Sequence, residues 1–373
     1  MVQKVLREDQ FSELEALLRN IGRSNVFLVR GDRSYNISGA ESFIDQLLGN
    51  TEVDSFHHFE PNPQLHDLAN GIARFKKGNY KLIMAIGGGS VLDMAKLISV
   101  FAHQQAGIEA IVKWDAQTES TKTPLLAIPT TAGTGAEATK FAVLYIDKKK
   151  YSFEHPLVLP DHVFLSPRFL HSSTPYLTAC AGLDAFSQAV ESVWSVNATD
   201  ASESIALNAI SMIWNHLHHA VNQGDPDSRG LMLEAAHLSG KAINITRTTA
   251  PHALSYAFTS YYNIPHGHAV ALTLPFFLEF NYAVTGDDCT DPRGPGSVRT
   301  RIDKILGILN TGIDHARVQL EEFISSIGVS LDITSLTGSF DPEIIAENVN
   351  TQRLTNNPRV VSKHDILKML QNQ

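Results

Sequence analysis

The chain changes character near its middle, and this change limits the folds it can adopt. Up to about residue 165, short apolar runs alternate with helix-like stretches at residues 64–76 and 91–103; the runs lie at residues 25–30, 81–86, 125–129 and 143–146. The first three runs are apolar throughout, which is typical of strands buried on both faces. The alternation predicts a doubly wound parallel sheet in an α/β domain.

The second half of the chain is predicted to be almost wholly helical. The helical stretches are residues 175–220 (two helices), 228–246, 252–261, a segment after Pro265, 303–327 and 364–373. We place the boundary near Thr174 and Pro175, so an α/β domain at residues 1–175 precedes an all-α domain at 176–373. The segment 286–296 is rich in Gly, Pro and Asp, which predicts a surface insertion.

Composition excludes several classes of protein. The chain is 43% hydrophobic and 18% charged, which is enough apolar material for large cores. Its longest apolar run, residues 269–278, is shorter than the roughly 18 residues of a membrane span, and the N-terminal residues lack a signal-peptide core. We therefore expect a cytoplasmic protein. The net charge of −9 argues against a nucleic-acid partner, and two cysteines beside 16 histidines predict that any metal is held by imidazole and carboxylate.

Two turns in the first half have the composition of phosphate-binding turns. Residues 87–90 read GGGS, and Ser90 and Asp93 are spaced as in a capping box at a helix start. Glycines let the backbone approach a ligand closely, and helix N-termini attract anions. The second turn, residues 129–138, contains three threonines and two glycines after another buried run. Two such turns at neighbouring strand ends predict a nucleotide site; the alternative is a pair of turns that only cap strands.

A carboxylate and two imidazoles in the second half have the chemistry of a metal site. Asp184 lies in a helical stretch with Gln188 one turn later, and His252 and His266 follow. Each residue taken alone is more often structural. Together, Asp184, His252 and His266 are the ligand types of a catalytic divalent metal with open positions.

The motifs together resemble the iron-containing (group III) alcohol dehydrogenases. They are, in chain order, PNP (61–63), GGGSVLDMAK (87–96), PTTAGTGAEAT (129–139), AGLDAFSQA (181–189), HALSYAFTSYYNIPHGHAVALTLP (252–275) and NNPR (356–359). The resemblance implies a dinucleotide-binding α/β domain, a helical domain, and a site in the cleft between them. It also implies an NAD(P)-dependent oxidoreductase that interconverts an aldehyde and a primary alcohol, in a family where homodimers are common.

The resemblance assigns cofactor contacts by position. It implies that pyrophosphate and ribose lie near Asn62, Gly88, Gly89, Ser90 and Asp93, that the nicotinamide lies near Thr130, Thr131, Thr134 and Thr139, and that Lys150 meets a ribose. Gly31 and Asp32 follow the first strand, where NAD-specific members carry an aspartate. Gly31 leaves room for a 2′-phosphate and Asp32 would repel one, so NAD and NADP both stay open.

The resemblance also implies a metal held by Asp184, His252 and His266. Fe²⁺ is the first expectation, with Zn²⁺ and Ni²⁺ as alternatives. In the family a fourth ligand, a histidine, occupies the position of Gln188. We therefore expect Gln188 to be a weak ligand through its amide oxygen or a group close to the metal; the alternative is that Gln188 bonds only to protein and the metal keeps three protein ligands. Tyr256 stands where many members have a proton-relaying histidine, and either Tyr256 or His268 is expected to assist proton transfer.

Substrate and alternatives complete the expectations. Arg247 and His268 flank the proposed ligands, and both segments resemble phosphonoacetaldehyde reductases, so we expect a small aldehyde, with a phosphonate- or carboxylate-bearing one as a hypothesis. The alternative for Arg247 is a helix cap or an ion pair. Two other functions stay open: a dehydroquinate synthase-like cyclase, and a nucleotide-binding family member without catalysis.

Overall fold

The computed structural model describes residues 3–49, 51, 53–113, 116–147 and 149–371. Contacts along the chain divide it into two compact units. The first comprises Met1–Thr131 and Gly135–Ser173, and the second comprises Ala132–Thr134 and Thr174–Gln373. Three residues of the threonine-rich turn therefore belong with the second unit.

The first unit is built around a six-stranded parallel sheet. Its elements are β1 (Lys4–Arg7), α1 (Phe11–Ile21), β2 (Val26–Arg30), α2 (Arg33–Ile37), α3 (Ala40–Leu48), β3 (Ser55–Phe56), α4 (Leu65–Phe75), β4 (Leu82–Gly87), α5 (Gly89–Phe101), α6 (Ile108–Val112), β5 (Leu125–Pro129), β6 (Phe141–Ile146), β7 (Lys149–Glu154) and β8 (His162–Leu165). The strand order is β1-β8-β5-β4-β2-β3, with every pair parallel.

Alternate residues of the central strands point into two separate hydrophobic cores, one on each face of the sheet. In β2 and β4, Phe27 and Ile83 pack on one side of the sheet with apolar residues of α4 and α5. Their neighbours Leu28 and Met84 pack on the other side with α1 and α3. Successive strand side chains point to opposite faces, so a strand covered on both sides must be apolar throughout. The predicted doubly wound sheet is thus confirmed.

The fourth predicted strand pairs differently. Residues 143–146 lie in β6, which forms a two-stranded antiparallel hairpin with β7 rather than joining the sheet. The two strands are too close in sequence for the crossover that parallel pairing needs. The hairpin still packs on the core around α5 through Ala142 and Phe153.

The second unit is helical, as predicted, and contains no strand among the residues that the structure describes. Its helices are α7 (Pro175–Trp194), α8 (Asp200–Asn222), α9 (Pro226–Thr246), α10 (Ala250–Tyr262), α11 (His266–Ala271), α12 (Leu274–Tyr282), α13 (Pro295–Leu309), α14 (Ile313–Ser326), α15 (Ile333–Thr337), α16 (Pro342–Glu347), α17 (Thr351–Leu354) and α18 (Lys363–Gln371). None of the described helices is long and apolar enough to cross a membrane.

Two details of the second unit add to the sequence expectations. The stretch 303–327 is two helices, because Asn310 ends α13 in a left-handed conformation with φ of 54°. The segment 286–296 is mostly exposed, as expected for a surface insertion, but it is anchored at one point. Asp291 is buried, and Arg293 donates hydrogen bonds to it and to the carbonyl of Ser195.

Candidate active site

One face of the buried helix α7 carries three polar side chains. The helix begins with Thr174, whose hydroxyl accepts a hydrogen bond from the Leu177 amide, and Pro175 occupies its first turn. Asp184, Gln188 and Glu191 follow at spacings of four and three residues, which places them on one side of the helix. All three are at most 4% exposed, so each needs a partner within the protein.

Helices α10 and α11 bring two histidines to this face. His252 lies in the first turn of α10, and His266 is the first residue of α11. One ligand atom from each of Asp184, His252 and His266 lies within 4.8 Å of the other two, and the His252 and His266 ring centroids are 5.4 Å apart. The three residues that the sequence pointed to therefore converge, in a geometry that suits one metal ion.

Hydrogen bonds set the tautomers of both histidines. His252 Nδ1 donates to Glu191 Oε1, so its Nε2 faces Asp184 Oδ1, 3.2 Å away. Ser255 Oγ donates to the His252 carbonyl oxygen at 2.8 Å and therefore accepts from His266 Nδ1 at 3.3 Å. In the neutral forms both rings then carry their lone pair on Nε2, the nitrogen that a metal would take.

The electrostatics of the site favour a positive charge. Burial lowers the pKa of His252, but the Glu191 and Asp184 carboxylates outweigh it and raise this pKa to about 10. Burial raises the pKa of Asp184, whereas the hydrogen bond from His252 and the charge of His266 bring it below its ordinary value. Two buried carboxylates thus hold a cationic position, which a divalent metal can occupy in place of the proton.

Gln188 provides a second observation in favour of a metal. Its amide nitrogen donates to Asp184 Oδ1 at 3.1 Å and to the Thr134 carbonyl oxygen at 3.3 Å. Its amide oxygen is buried and has no hydrogen-bond partner among the described residues. A buried acceptor without a partner is costly, and a cation would satisfy it. A carboxylate, two imidazoles and an amide oxygen therefore fit a divalent metal.

Glu191 is the residue that the sequence reasoning missed. It is fully buried and links His252 to α7. The helical spacing could have revealed it, because Glu191 continues the face of Asp184 and Gln188 by one more turn.

The two residues expected to assist proton transfer have different surroundings. The Tyr256 ring stacks on His266, with ring centroids 5.8 Å apart. His268 Nε2 lies 2.6 Å from the Ser330 carbonyl oxygen, to which it must donate, and Nδ1 accepts from the Tyr176 hydroxyl at 2.9 Å. Both ring nitrogens of His268 are therefore engaged in holding α11. Burial also lowers the pKa of His268, which keeps the ring neutral.

Arg247 is the C-terminal capping residue of α9. Its amide donates to the Ile243 carbonyl oxygen at 2.8 Å, and its side chain is exposed. The backbone has φ of 59° and ψ of −178°, a region that side-chain-bearing residues rarely adopt. The backbone of Arg247 therefore ends α9, as the alternative interpretation of this residue predicts.

In the first unit, several predicted cofactor residues lie at one edge of the sheet. Gly88 and Gly89 follow β4, and Thr130 and Thr131 follow β5, the adjacent parallel strand. A Cβ on Gly88 would lie 3.5 Å from the Thr131 side chain, so the turns that follow β4 and β5 lie within van der Waals contact of each other. The Asn62 amide donates to Ser90 Oγ at 3.1 Å, which brings the segment 61–63 to the same place.

The start of α5 differs from the predicted capping box. The N-cap is Gly88, and no side chain caps the helix among the described residues. Ser90 instead accepts from Asn62, and Asp93 Oδ2 accepts from the Val143 amide at 3.0 Å. An α-helix of this length with an uncapped, glycine-formed start fits the pyrophosphate of a dinucleotide.

Asp93 and Thr139 belong to a buried network around Lys96. Lys96 is fully buried and donates to Thr139 Oγ1 at 3.0 Å and to the Phe141 carbonyl oxygen at 2.7 Å, with Asp93 Oδ1 3.7 Å away. Burial raises the pKa of Asp93, and the charges of Lys96 and Lys150 oppose this rise. These contacts tie α5 to the β6–β7 hairpin, so Asp93 and Thr139 have structural roles whether or not they also touch a cofactor.

Gly31 and Asp32 follow β2, the strand next to β4. Gly31 is buried and Asp32 is exposed, and a Cβ on Gly31 would come within 2.2 Å of Ser34 Oγ. The close atom is the end of a serine side chain that can rotate away, so the turn into α2 does not itself require glycine at this position.

Comparison with known proteins defines the class. The family model described as Iron-containing alcohol dehydrogenase matches residues 3–167, and the model described as Fe-containing alcohol dehydrogenase family, C-terminal, matches residues 178–373. The chain belongs to the iron-containing alcohol dehydrogenase family, which confirms the resemblance. It is therefore an oxidoreductase that uses NAD(P) and a divalent metal, and the cyclase alternative receives no support.

Individual relatives agree with this class. Over 300 residues the chain is 34% identical to the phosphonoacetaldehyde reductase of Streptomyces viridochromogenes, covering 77% of this chain and 74% of that protein. The alcohol dehydrogenase of Oenococcus oeni superposes with a TM-score of 0.87 at 26% identity, covering 99% and 97% of the two chains. The fold is also that of the sulfoacetaldehyde reductase of Bifidobacterium kashiwanohense in complex with NAD+, with a TM-score of 0.88 at 23% identity over 99% and 96% of the chains.

Gly267 generates a prediction about the integrity of this site. A Cβ there would lie 1.9 Å from the Cys180 carbonyl oxygen and 3.0 Å from Asp184 Cβ, so Gly267→Ala must push α11, and with it His266, away from α7. We expect the free energy of unfolding to fall by about 3 kcal/mol and metal binding to weaken. Denaturant unfolding and metal titration measure both.

Gly307→Ala is the matched control. Gly307 is exposed in α13, with no atom within 4 Å of the added methyl group, so the same substitution should stabilise the protein by up to about 1 kcal/mol. Equal unfolding free energies for the two variants would contradict the close packing of α11 on α7.

Proposed function

We propose that this oxidoreductase reduces small aldehydes that carry an anionic group, with Asp184, His252 and His266 holding the metal. The observation that carries the proposal is the convergence of these three buried side chains beside the unsatisfied amide oxygen of Gln188. Fe²⁺ is the proposed metal, with Zn²⁺ or Ni²⁺ as substitutes, since imidazole and oxygen ligands accept all three.

The chemistry of the proposed reaction divides between cofactors and protein. When bound, the metal supplies Lewis-acid polarisation of the carbonyl and the nicotinamide supplies hydride. The protein orients the metal-binding nitrogens through Glu191 and Ser255. For the cofactor, we propose contacts from residues at the sheet edge and its surroundings: Gly31, Asp32, Asn62, Gly88, Gly89, Ser90, Asp93, Thr130, Thr131, Thr134, Thr139 and Lys150.

An anionic substrate is favoured by two observations. The relative with 34% identity is named for an aldehyde that bears a phosphonate. In addition, Arg247 is an exposed residue in the turn that leads into α10, five residues before His252 in the sequence. A guanidinium is well suited to bind phosphonate, sulfonate or carboxylate oxygens in a bidentate manner. We propose that Arg247 contacts the anionic group.

A panel of aldehydes tests the substrate class. Phosphonoacetaldehyde, sulfoacetaldehyde and succinic semialdehyde should give a kcat/KM at least about 10-fold above that of propanal, because one charged hydrogen-bonded contact contributes about 1.5–3 kcal/mol. NAD(P)H oxidation is the readout. A higher kcat/KM for propanal would refute the anionic class, and absence of any turnover by metal-loaded protein would favour the non-catalytic alternative.

Gln188 generates a prediction about metal affinity. Imidazole binds Fe²⁺ and Zn²⁺ more strongly than a neutral amide oxygen, so Gln188→His should tighten metal binding by about 10-fold or more. Competition with a chromophoric chelator measures the Kd for Zn²⁺. Asp184→Ala and His266→Ala should abolish binding and activity together, and a Kd in Gln188→His equal to that of the parent would show that Gln188 is not near the metal.

Tyr256 is our proposed proton-transfer residue, because its ring packs on His266 whereas both ring nitrogens of His268 hold α11. Tyr256→Phe removes only the hydroxyl. We expect kcat to fall by about 10²-fold with the metal Kd unchanged. An unaltered kcat in Tyr256→Phe would assign proton transfer to water.

We also propose a cytoplasmic homodimer. The low cysteine content, two residues in 373, supports the location. The dimer rests on family resemblance alone, and light scattering of the purified protein would test it.

A further inference from the structure

The turn between α9 and α10 is strained and held in place by side chains. Arg247 has a backbone conformation that glycine adopts readily and other residues avoid. Such a conformation persists only where the surroundings impose it. We call the segment 246–249 the arginine turn. Its contacts with the rest of the second unit impose the strained conformation of Arg247.

Hydrogen bonds from several elements fasten the arginine turn. The Thr246 carbonyl oxygen accepts from Ser195 Oγ at 3.0 Å and from Asn197 Nδ2 at 3.3 Å. The Thr248 carbonyl oxygen accepts from Asn356 Nδ2 at 2.9 Å. The motif NNPR therefore has a structural role in this chain, because its first asparagine fastens the turn.

Glu191 fastens the end of the arginine turn. Its Oε2 accepts from the Thr249 amide at 2.6 Å and from Thr249 Oγ1 at 2.8 Å, and Trp194 Nε1 donates to the same hydroxyl at 2.9 Å. Its other oxygen, Oε1, accepts from His252 Nδ1. One buried carboxylate thus holds the turn with one oxygen and the metal-site imidazole with the other.

We propose that Glu191 is a positioning residue that couples metal binding to recognition of the substrate's anionic group. Its Oε1 arm orients His252 for the metal, and its Oε2 arm holds the arginine turn in the strained form that presents Arg247. The part of this proposal that concerns Arg247 rests on the proposed function. The part that concerns the orientation of His252 does not depend on the role of Arg247.

The chemistry of the side chain makes this coupling testable. Both oxygens of Glu191 act as acceptors, and glutamine has only one. In Glu191→Gln, an amide nitrogen must face either His252 Nδ1 or the Thr249 amide. In the first case the imidazole must move its proton to Nε2, where it blocks the metal. In the second the arginine turn loses the hydrogen bond from the Thr249 amide to Glu191.

Glu191→Gln is therefore the central experiment. Two quantities are measured: the Kd for Zn²⁺ by chelator competition, and the ratio of kcat/KM for phosphonoacetaldehyde to that for propanal. We expect the Kd to rise about 10–100-fold or the ratio to fall at least about 10-fold, and no change in both would overturn the proposal. A lower Tm with both quantities unchanged would mean that Glu191 is only structural.

Variants in the arginine turn separate the contact of Glu191 Oε2 with the turn from the contact of Oε1 with His252. Thr249→Val removes the hydroxyl that contacts Oε2, so the substrate ratio should fall while the Zn²⁺ Kd stays within about threefold of the parent. Asn356→Ala, remote from Glu191 in sequence, should act in the same direction. These variants also test the proposal if Glu191→Gln fails to fold, and an unchanged ratio in both would refute the role of the turn.

Arg247→Gly should raise the stability of the protein and lower its preference for anionic aldehydes. Glycine relieves the backbone strain, so we expect Tm to rise by about 2–4 °C while the preference for phosphonoacetaldehyde is lost and the Zn²⁺ Kd is unchanged. Arg247→Ala is the control, because it removes the guanidinium but keeps the strain. If the parent enzyme itself shows no preference for anionic aldehydes, the proposed substrate class fails, and the Zn²⁺ Kd of Glu191→Gln alone decides the role of Glu191.

Discussion

The structure of the second unit depends on the need to satisfy the carboxylates buried on α7. Asp184 and Glu191 are almost inaccessible to water, and an unpaired buried charge would cost several kcal/mol. His252 lies between them and bonds to both. Helix α10 must therefore pack with its first turn against α7, which also brings the start of α11 to the same face.

Close backbone approach makes this arrangement possible. Gly267 lets α11 meet the Cys180 carbonyl, and Gly133 lets the loop Ala132–Thr134 approach Ala181 to within contact distance. The same loop supplies the carbonyl that accepts from Gln188. These two glycines, which lie against α7, thus serve the site, because they allow neighbouring elements to come near enough for short polar side chains to bond.

In the first unit, the sheet was predictable wherever strands are buried on both faces. Strands β2, β4 and β5 are continuous apolar runs, and such runs indicate central parallel strands. Strands β1, β3 and β8 were not predicted. They have two to four residues each, too few for a periodic pattern, and pairing with a neighbouring strand defines them. Strand β6 was predicted but assigned to the parallel sheet, because apolar content does not specify a partner, and its partner β7 was not predicted.

The sequence by itself determined the class of the chain and pointed to three residues of its candidate metal site. Asp184, His252 and His266 are of the types that ligate metals, and the motifs around them have a characteristic order. The tertiary structure alone decided which nitrogen each histidine presents, that both ring nitrogens of His268 are hydrogen-bonded within the protein, and that Glu191 joins His252 to the arginine turn. These relations are hydrogen bonds between residues far apart in the chain, for which local sequence carries no pattern, and the strain at Arg247 exists only because those bonds impose it.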